Sequence, residues 1–550
     1  MQTQSEDKRS QSENVVRSAG IVSIAVFTSR ISGLVREIVL AAMFGASAVF
    51  DAFRIGFTVP NLTRDLFAEG ALSAAFVPTF TQYLATKPRE EARLLANLVA
   101  SALIVIVGSV CVLGIIFSPY ILELIAPGFK STPGKFELAV SMTRIMFPFL
   151  LLVALSAEVM GILNACNQFG VPALASTFFN IGSVVAGLIL GKVIGPAVGI
   201  SPIHGMAYGV VFGGGMQLLW QMPSLHRAGF RFRLQFDWSH PGLRHIFRLM
   251  GPAILGNAAV QINVTVNNNF ASRLPDPDGP VSWLGYAFRF MQLPLGIFGV
   301  AIASATLPSI SRSAAANNVD EFRSTLSRSI GLVFVLTIPS AVGLAILGDS
   351  IVGAVYQFGA FTALDTQQTG RALACYAIGL VGYSAAKVLN PAFYALHDAR
   401  TPMIISFCSI AVNFFTVLTM TRVAGFGHAG LALSTSAVAM FSCVALFLVM
   451  RKRIGGIYGR NLWRTFFLVS VASALMGLAV WTTHYLVTLQ LGTSKLARLT
   501  DLAISIPIGI LVLYAACRML GVTELDTALN GILGPLHRRL PWLRARISKQ

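Results

Sequence analysis

Apolar runs of membrane-spanning length follow one another along nearly the whole chain, and that recurrence decides most of what it can fold into. A hydrocarbon core is about 30 Å thick, and a helix rising about 1.5 Å per residue crosses it in about 20 residues. Lipid offers the backbone no hydrogen-bond partners, so each run must satisfy its own N–H and C=O groups and reads as a helix. Fourteen spans are expected, at about 18–44, 51–84, 93–117, 138–165, 172–192, 205–225, 246–271, 282–311, 328–348, 368–396, 402–422, 428–450, 463–486 and 500–521. The fold class is therefore all-α integral membrane protein. Composition agrees, since only 12% of the 550 residues are charged, against about 25% in soluble domains. The first 17 residues are polar and the apolar run behind them leads straight into further spans, so no cleavable signal is expected.

The formal net charge of +18 would point a soluble protein toward nucleic acid. Here the basic residues are spread over short loops, and they set orientation instead. With alternate loops assigned to each side, about 25 Lys/Arg fall on one face and about 7 on the other, which makes the rich face cytoplasmic and places both termini there. No nucleic-acid partner is expected. The six cysteines lack CxxC spacing and read as small core hydrophobes. The histidines lack metal-ligand spacing, and P-loop, HExxH and GxSxG motifs are absent from the sequence, so neither cofactor, metal nor ATP is implied.

An internal repeat recurs at an offset of about 230 residues. LFAEGALSAAFVP, ending at Pro78, matches GIFGVAIASATLP, ending at Pro308, and Pro172 pairs with Pro402 at the same separation. Six spans per copy make this a parallel repeat about an axis along the membrane normal. The expected organisation is a cytoplasmic tail at 1–17, an N-lobe at 18–228, a C-lobe at 229–451, two further spans at 452–522 and a basic tail at 523–550. Two lobes facing across a central cavity follow.

Charge inside the spans is the chemical signal. Span one carries Arg30, Arg36 and Glu37 within SRISGLVRE; span two carries Asp51, Arg54, Arg64, Asp65 and Glu69 around Pro60 and Asn61; span eight carries Arg289. Each charge at a helix centre costs roughly 2.5–3.5 kcal/mol on insertion. One reading fastens helices together with internal ion pairs, Arg36 near Glu37 and Arg64 with Asp65 and Asp51. The other lines a polar cavity with arginines, whose planar guanidinium groups donate two parallel hydrogen bonds to phosphate oxygens. Arginines from different spans favour the cavity, because buried pairs are a poor source of stability. Lys387, Glu158 and Arg144 are secondary candidates that could snorkel or pair locally. The glycine run Gly213–Gly215 reads as close helix packing.

These stretches, with FGASAVFDAF, APGF, GPAILG and VSWLGYAFRFMQLPLGIFGVAIASATLPSIS, resemble the lipid II flippases of peptidoglycan synthesis (MurJ, formerly MviN) of the multidrug/oligosaccharidyl-lipid/polysaccharide exporter superfamily, across essentially the whole chain. The resemblance implies a bacterial inner-membrane transporter, not an enzyme. Its fourteen helices would form two lobes around a cationic cavity for the diphosphate-sugar head, with a groove at the last two helices for the undecaprenyl tail. It carries the substrate-binding role onto Arg30, Arg36, Arg64 and Arg289, with Asp51, Asn61 and Ser282 beside them, and makes Glu37, Gln292, Lys387 and Glu69 secondary positions. Gln292 stands where some relatives are acidic. Where some relatives hold a cation with carboxylates in spans seven and eleven, this chain offers only Asn257, Asn263, Asn267 to Asn269 and Asn413.

Lipid II, membrane lipids and a cell-wall synthesis complex are the implied partners. The alternatives are a flippase for another polyprenyl-diphosphate glycolipid, and a drug or cation antiporter, which calls for cavity carboxylates and aromatics. A polymerising glycosyltransferase would need a long loop that the sequence lacks. The tail segment Leu536 to Lys549 mixes Arg538, Arg539, Arg544 and Arg546 with Leu540, Trp542 and Leu543, and is expected to bind anionic lipid or simply to set topology.

Overall fold

The computed structural model describes residues 24–65, 72–276, 278–457 and 459–526, and every regular element among them is helical. In chain order these are α1 (24–44), α2 (Ala48–Arg64), α3 (Ser73–Thr86), α4 (Arg89–Ile125), α5 (Lys135–Met146), α6 (Pro148–Ala165), α7 (Gly170–Leu188), α8 (Gly195–Val198) and α9 (Pro202–Arg227). They continue with α10 (Pro241–Ser272), α11 (Pro280–Pro294), α12 (Val300–Ala315), α13 (Val319–Tyr356), α14 (Ala363–Ala395), α15 (Arg400–Leu418), α16 (His428–Arg453), α17 (Gly459–Leu491) and α18 (Lys495–Met519). Glu69 and the basic tail lie outside the described residues.

Among the described residues ten helices are long and apolar enough to cross a membrane, and eleven if α10, bent by 41° after Pro252, is one span. The expected spans one, two and six are helical where described but fall outside this set. Span one carries three charges, span two carries charges and a proline, and the α9 helix of span six is diluted by glycine. The count of fourteen therefore rests on the sequence reading.

The chain divides into two compact units, Met1–Val281 and Ser282–Gln550. The repeat is written into their element boundaries. Helices α6 and α14 end at Ala165 and Ala395, and left-handed residues follow at Asn167 (φ 60°) and His397 (φ 55°). Then α7 and α15 begin at Gly170 and Arg400, hold Pro172 and Pro402 in their first turns, and pass into π-helical turns at Ile189 and Thr419. Every one of these pairs is 230 residues apart, the offset that the two proline matches gave. The packing boundary after Val281 is later than the repeat boundary near residue 229, because α10 packs on α3 and α4.

In the first unit, α7 and α9 are the most extensively packed pair, and the reason is a GxxxGxxxG series on α9. Without side chains there, the backbones approach closely. A Cβ at Gly209 would lie 2.4 Å from the Ser183 carbonyl oxygen, one at Gly205 2.4 Å from the Gly191 backbone, and one at Gly213 2.6 Å from the Phe179 carbonyl oxygen. Gly215, in the same run, faces open space. Phe76, Phe80, Leu95, Leu150 and Leu163 fill the core against α3, α4 and α6.

In the second unit, α13, α14 and α16 surround Ile330, Val333, Leu389 and Phe393. Helices α17 and α18 fasten to α13 through Val335, Val469 and Cys517 and through one buried carboxylate. Asp501 accepts from Ser350 at 2.5 Å and Ser505 at 2.8 Å, and His484 Nδ1 lies 2.7 Å from it. All six cysteines are free. Cys111 and Cys517 are core residues as expected, whereas Cys408 is exposed on α15, where a small apolar side chain equally suits lipid.

The glycine contacts make a paired prediction. Gly209→Leu forces a side chain into backbone and should cost at least the ~1–3 kcal/mol of overpacking, while Gly215→Leu should be close to neutral. Thermal unfolding in detergent and membrane abundance measure both, and equal behaviour of the two variants would refute the packing account.

Candidate functional site

Charge in the first unit is organised along α2. Arg54, Asn61 and Arg64 stand at i, i+7 and i+10, so they share one stripe about 15 Å long at a rise of about 1.5 Å per residue. At its start Glu37 of α1 receives two guanidiniums, Arg36 at 3.2 Å and Arg54 at 3.1 Å. The carboxylate is nearly buried, and it holds two like charges close together that would otherwise repel. Arg36 also lies over the Phe179 ring at 5.2 Å and Arg54 over Phe50 at 5.0 Å. Asn180 of α7 fixes the α1 backbone beside them, donating to Ser32 Oγ at 3.1 Å and the Ser29 carbonyl at 3.3 Å. At the far end Arg64 pairs with Asp65 at 2.9 Å. Arg30 projects from α1 as an exposed residue.

Asp51 belongs to a different arrangement. It is fully buried in the first turn of α2, 3.0 Å from Lys135 Nζ, and it accepts the Gly279 N–H at 3.1 Å. The Asp278 carboxylate in turn accepts the Ala48 N–H at 2.5 Å. Asp51 thus ties the start of α2 to the start of α5 and to the turn that enters α11. Lys135 follows Gly134, whose left-handed φ of 76° starts α5, and its ammonium sits 4.4 Å from the Phe129 ring centroid.

In the second unit α11 is set by aromatic packing. Trp283 Nε1 donates to Asp365 at 2.9 Å, and Tyr286 packs on Tyr356 and Phe361 at 4.9 and 5.3 Å. Ser282, Arg289 and Gln292 follow one stripe of this helix at i, i+7 and i+10. Ser282 is buried, Arg289 half-buried and Gln292 exposed; Lys387 is exposed on α14.

The structure thus brings together Arg36 and Glu37 and aligns Asn61 with Arg64, but gives Asp51 to Lys135 at a distance from the arginine stripe. The secondary positions separate as well. Arg144 donates to Ser118 Oγ at 3.0 Å, a local pairing, and Glu158 is buried within α6 with Oε1 lacking a hydrogen-bond partner among the described residues. One participant escaped the sequence reading, Lys135 as the Asp51 partner, and Arg54, counted there among the charges of span two, was given no place in the site. The spacing of Arg54 seven residues before Asn61 carried that signal; nothing local marks Lys135. A cleft of about 340 Å³ between α2, α4 and α5 is lined by apolar residues such as Val59, Leu113 and Phe147, so it is no anion site.

The profile of the lipid II flippase MurJ family matches residues 40–500. A lipid II flippase MurJ of Burkholderia cenocepacia is 34% identical over 481 residues, covering 85% of this chain and 90% of that protein. A probable lipid II flippase MurJ of Vibrio cholerae is 33% identical over 527 residues, covering 94% and 98%. Among solved structures, a lipid II flippase MurJ in an inward closed conformation superposes with a TM-score of 0.73 at 27% identity, covering 91% of this chain and 99% of that one. An inward-facing multidrug resistance MATE transporter of the MOP superfamily, at 15% identity and a TM-score of 0.65, shares the fold.

The buried Asp51–Lys135 contact predicts strong coupling. Asp51→Ala or Lys135→Ala alone strands a buried charge and should cost about 3–5 kcal/mol, whereas the double variant should lose clearly less than the sum. Unfolding of all three in detergent checks this, and additive losses would show that the pair does not act as a unit.

Proposed function

The chain belongs to the lipid II flippase MurJ family, and from that premise we propose that it carries lipid II, the undecaprenyl-diphosphate-linked peptidoglycan precursor, from the cytoplasmic to the periplasmic leaflet by alternating access. It is a multi-pass inner-membrane transporter rather than an enzyme. The observation that carries the reading is the family match over most of the chain, to which the arginine stripe adds a chemical reason. A diphosphate leaving water needs fixed positive charge and several N–H donors, and guanidinium supplies both.

Arg30, Arg36, Arg64 and Arg289 are assigned to the diphosphate, with Asn61 and Ser282 as neutral hydrogen-bonding positions and Gln292 and Lys387 farther along. Glu37 holds Arg36 and Arg54 in place, and Asp51 positions α2 through Lys135. The apolar residues that α17 and α18 leave exposed, among them Trp463, Leu478, Leu496 and Leu511, support a tail-binding role for these two helices. A cell-wall synthesis complex that consumes the translocated precursor is the expected partner. The loop charge asymmetry supports cytoplasmic termini.

Orientation is testable with fusion reporters. Tags after residue 456 and at the carboxyl terminus should report cytoplasm and one near residue 277 periplasm; a cytoplasmic signal at 277 would overturn the topology.

Arg36→Ala, Arg64→Ala and Arg289→Ala should each fail to complement a flippase-depleted cell while reaching normal membrane levels. Loss of one charge-assisted hydrogen bond is worth about 1.5–3 kcal/mol, roughly 10- to 100-fold in transport. Lysine should restore only part, since it keeps the charge and loses the fork. The assay is lipid II accessibility on each leaflet alongside protein abundance. Normal transport by Arg36→Ala/Arg289→Ala would defeat the assignment, and loss of protein would make these residues fasteners.

A further inference from the structure

The segment between α9 and α10 has no helix or strand over residues 230–237 and turns at Trp238 and Ser239, and its sequence from Phe230 reads FRFRLQFDW. Successive side chains of an extended chain point to opposite sides. In the sequence the alternation is strict, apolar Phe232, Leu234, Phe236 and Trp238 against polar Arg231, Arg233, Gln235 and Asp237, and Trp238, in the turn into α10, stacks on Phe247 at 6.4 Å. The four apolar side chains are 46%, 61%, 60% and 46% exposed, while Phe230 is buried and roots the segment in the core.

Two hydrogen bonds pin the segment to α4. The Arg233 N–H donates to Asn97 Oδ1 at 3.1 Å and the Gln235 N–H to Ser101 Oγ at 2.9 Å. These contacts also fix its depth. The stretch of α4 between Arg93 and Glu123 is uncharged and longer than the roughly 20 residues a bilayer core needs, so centring the core on it puts Asn97 at the boundary and Ser101 one turn inside. Irregular backbone at that depth requires its polar groups to be satisfied by protein, and the Asn97 and Ser101 side chains do so for the N–H groups of Arg233 and Gln235. Arg93, Arg227, Arg231, Arg233 and Arg244 surround the segment, against Glu90, Glu91 and Asp237, and Asp237 is engaged by the Ser239 N–H.

We propose that residues 229–238 form an interfacial anchor that inserts Phe232, Leu234, Phe236 and Trp238 among acyl chains and binds anionic phospholipid headgroups through the flanking arginines, in the leaflet at the amino-terminal end of α4. Exposed aromatics at the hydrocarbon edge together with a basic fringe are the chemistry of an anionic lipid surface. The exposed side chains leave a soluble partner nothing to recognise that lipid does not already cover at this depth.

The test uses the full-length protein in nanodiscs, and the Trp238 signal is the difference between wild type and Trp238→Phe. That signal should be quenched by phosphatidylcholine brominated high on its acyl chains and resist aqueous acrylamide; quenching by acrylamide with none from the brominated lipid overturns the insertion. Phosphatidylglycerol retained on the purified protein, counted by native mass spectrometry, should fall about fivefold for each of Arg231 and Arg233 changed to Gln. Arg231→Lys/Arg233→Lys should retain it, which separates loss of charge from loss of folding. Equal retention by wild type and the Gln variant, or loss in the Lys variant, overturns the headgroup assignment. The basic tail beyond residue 526 is common to all variants, so it cannot produce the difference.

Discussion

An ionised side chain cannot sit among apolar helices without a partner, and the arrangement of the first unit follows from that constraint. Desolvating a charge costs several kcal/mol even after relaxation. Asp51 meets the requirement with Lys135 and a backbone N–H, and in doing so it joins three segments distant in sequence. Glu37 meets it with two arginines from adjacent helices. Asp51 and Lys135 cancel, while Glu37 with Arg36 and Arg54 keeps one net positive charge, so these charges fasten the helices and leave a cationic remainder at the start of α2.

A second constraint is distance between backbones. Lipid gives packed helices no hydrophobic advantage over separated ones, so close contact must come from small residues and interhelical hydrogen bonds. On α9 three glycines spaced by four bring the helix onto α7, which in turn presents Asn180 and Phe179 to α1 and Arg36. In the second unit the same purpose is served by a polar contact, Asp501 with Ser350, Ser505 and His484, which docks α17 and α18.

Much of this was legible in the sequence. Helix ends, prolines and the offset of 230 depend on local chemistry, so Pro172 and Pro402 marked equivalent first turns correctly. Charges in apolar runs were equally plain, and neighbours such as Arg36 and Glu37 could be paired by inspection. The partner of Asp51 could not, because Lys135 is 84 residues away and reads as one more loop-edge lysine. Among the described residues, spans one, two and six fall outside the set that length and hydropathy mark, because charge in the first two and glycine in the third count against them. The alternation in residues 230–238 was hidden for a related reason: its arginines fitted the topology rule completely and left the aromatics between them unremarked.

Pairing and substrate binding also make compatible demands on the same arginines. A guanidinium carries five donors in a planar fork, and a carboxylate presents to it the same two-oxygen edge that a phosphate does. Exchanging one oxyanion for the other keeps the hydrogen bonds of the guanidinium, but the released carboxylate stays in the chain and must be taken up by water or another donor, so a solvent-reachable carboxylate is the cheaper one to displace. The pairs differ in how readily they could be traded. Glu37 is nearly buried and shared by two arginines, so it is a poor candidate for displacement, whereas Asp65 is 35% exposed and serves Arg64. On the proposed function, Arg64 at the far end of the stripe is the arginine that changes partner, and Arg36, held by Glu37, meets the diphosphate with the donors that its ion pair leaves over.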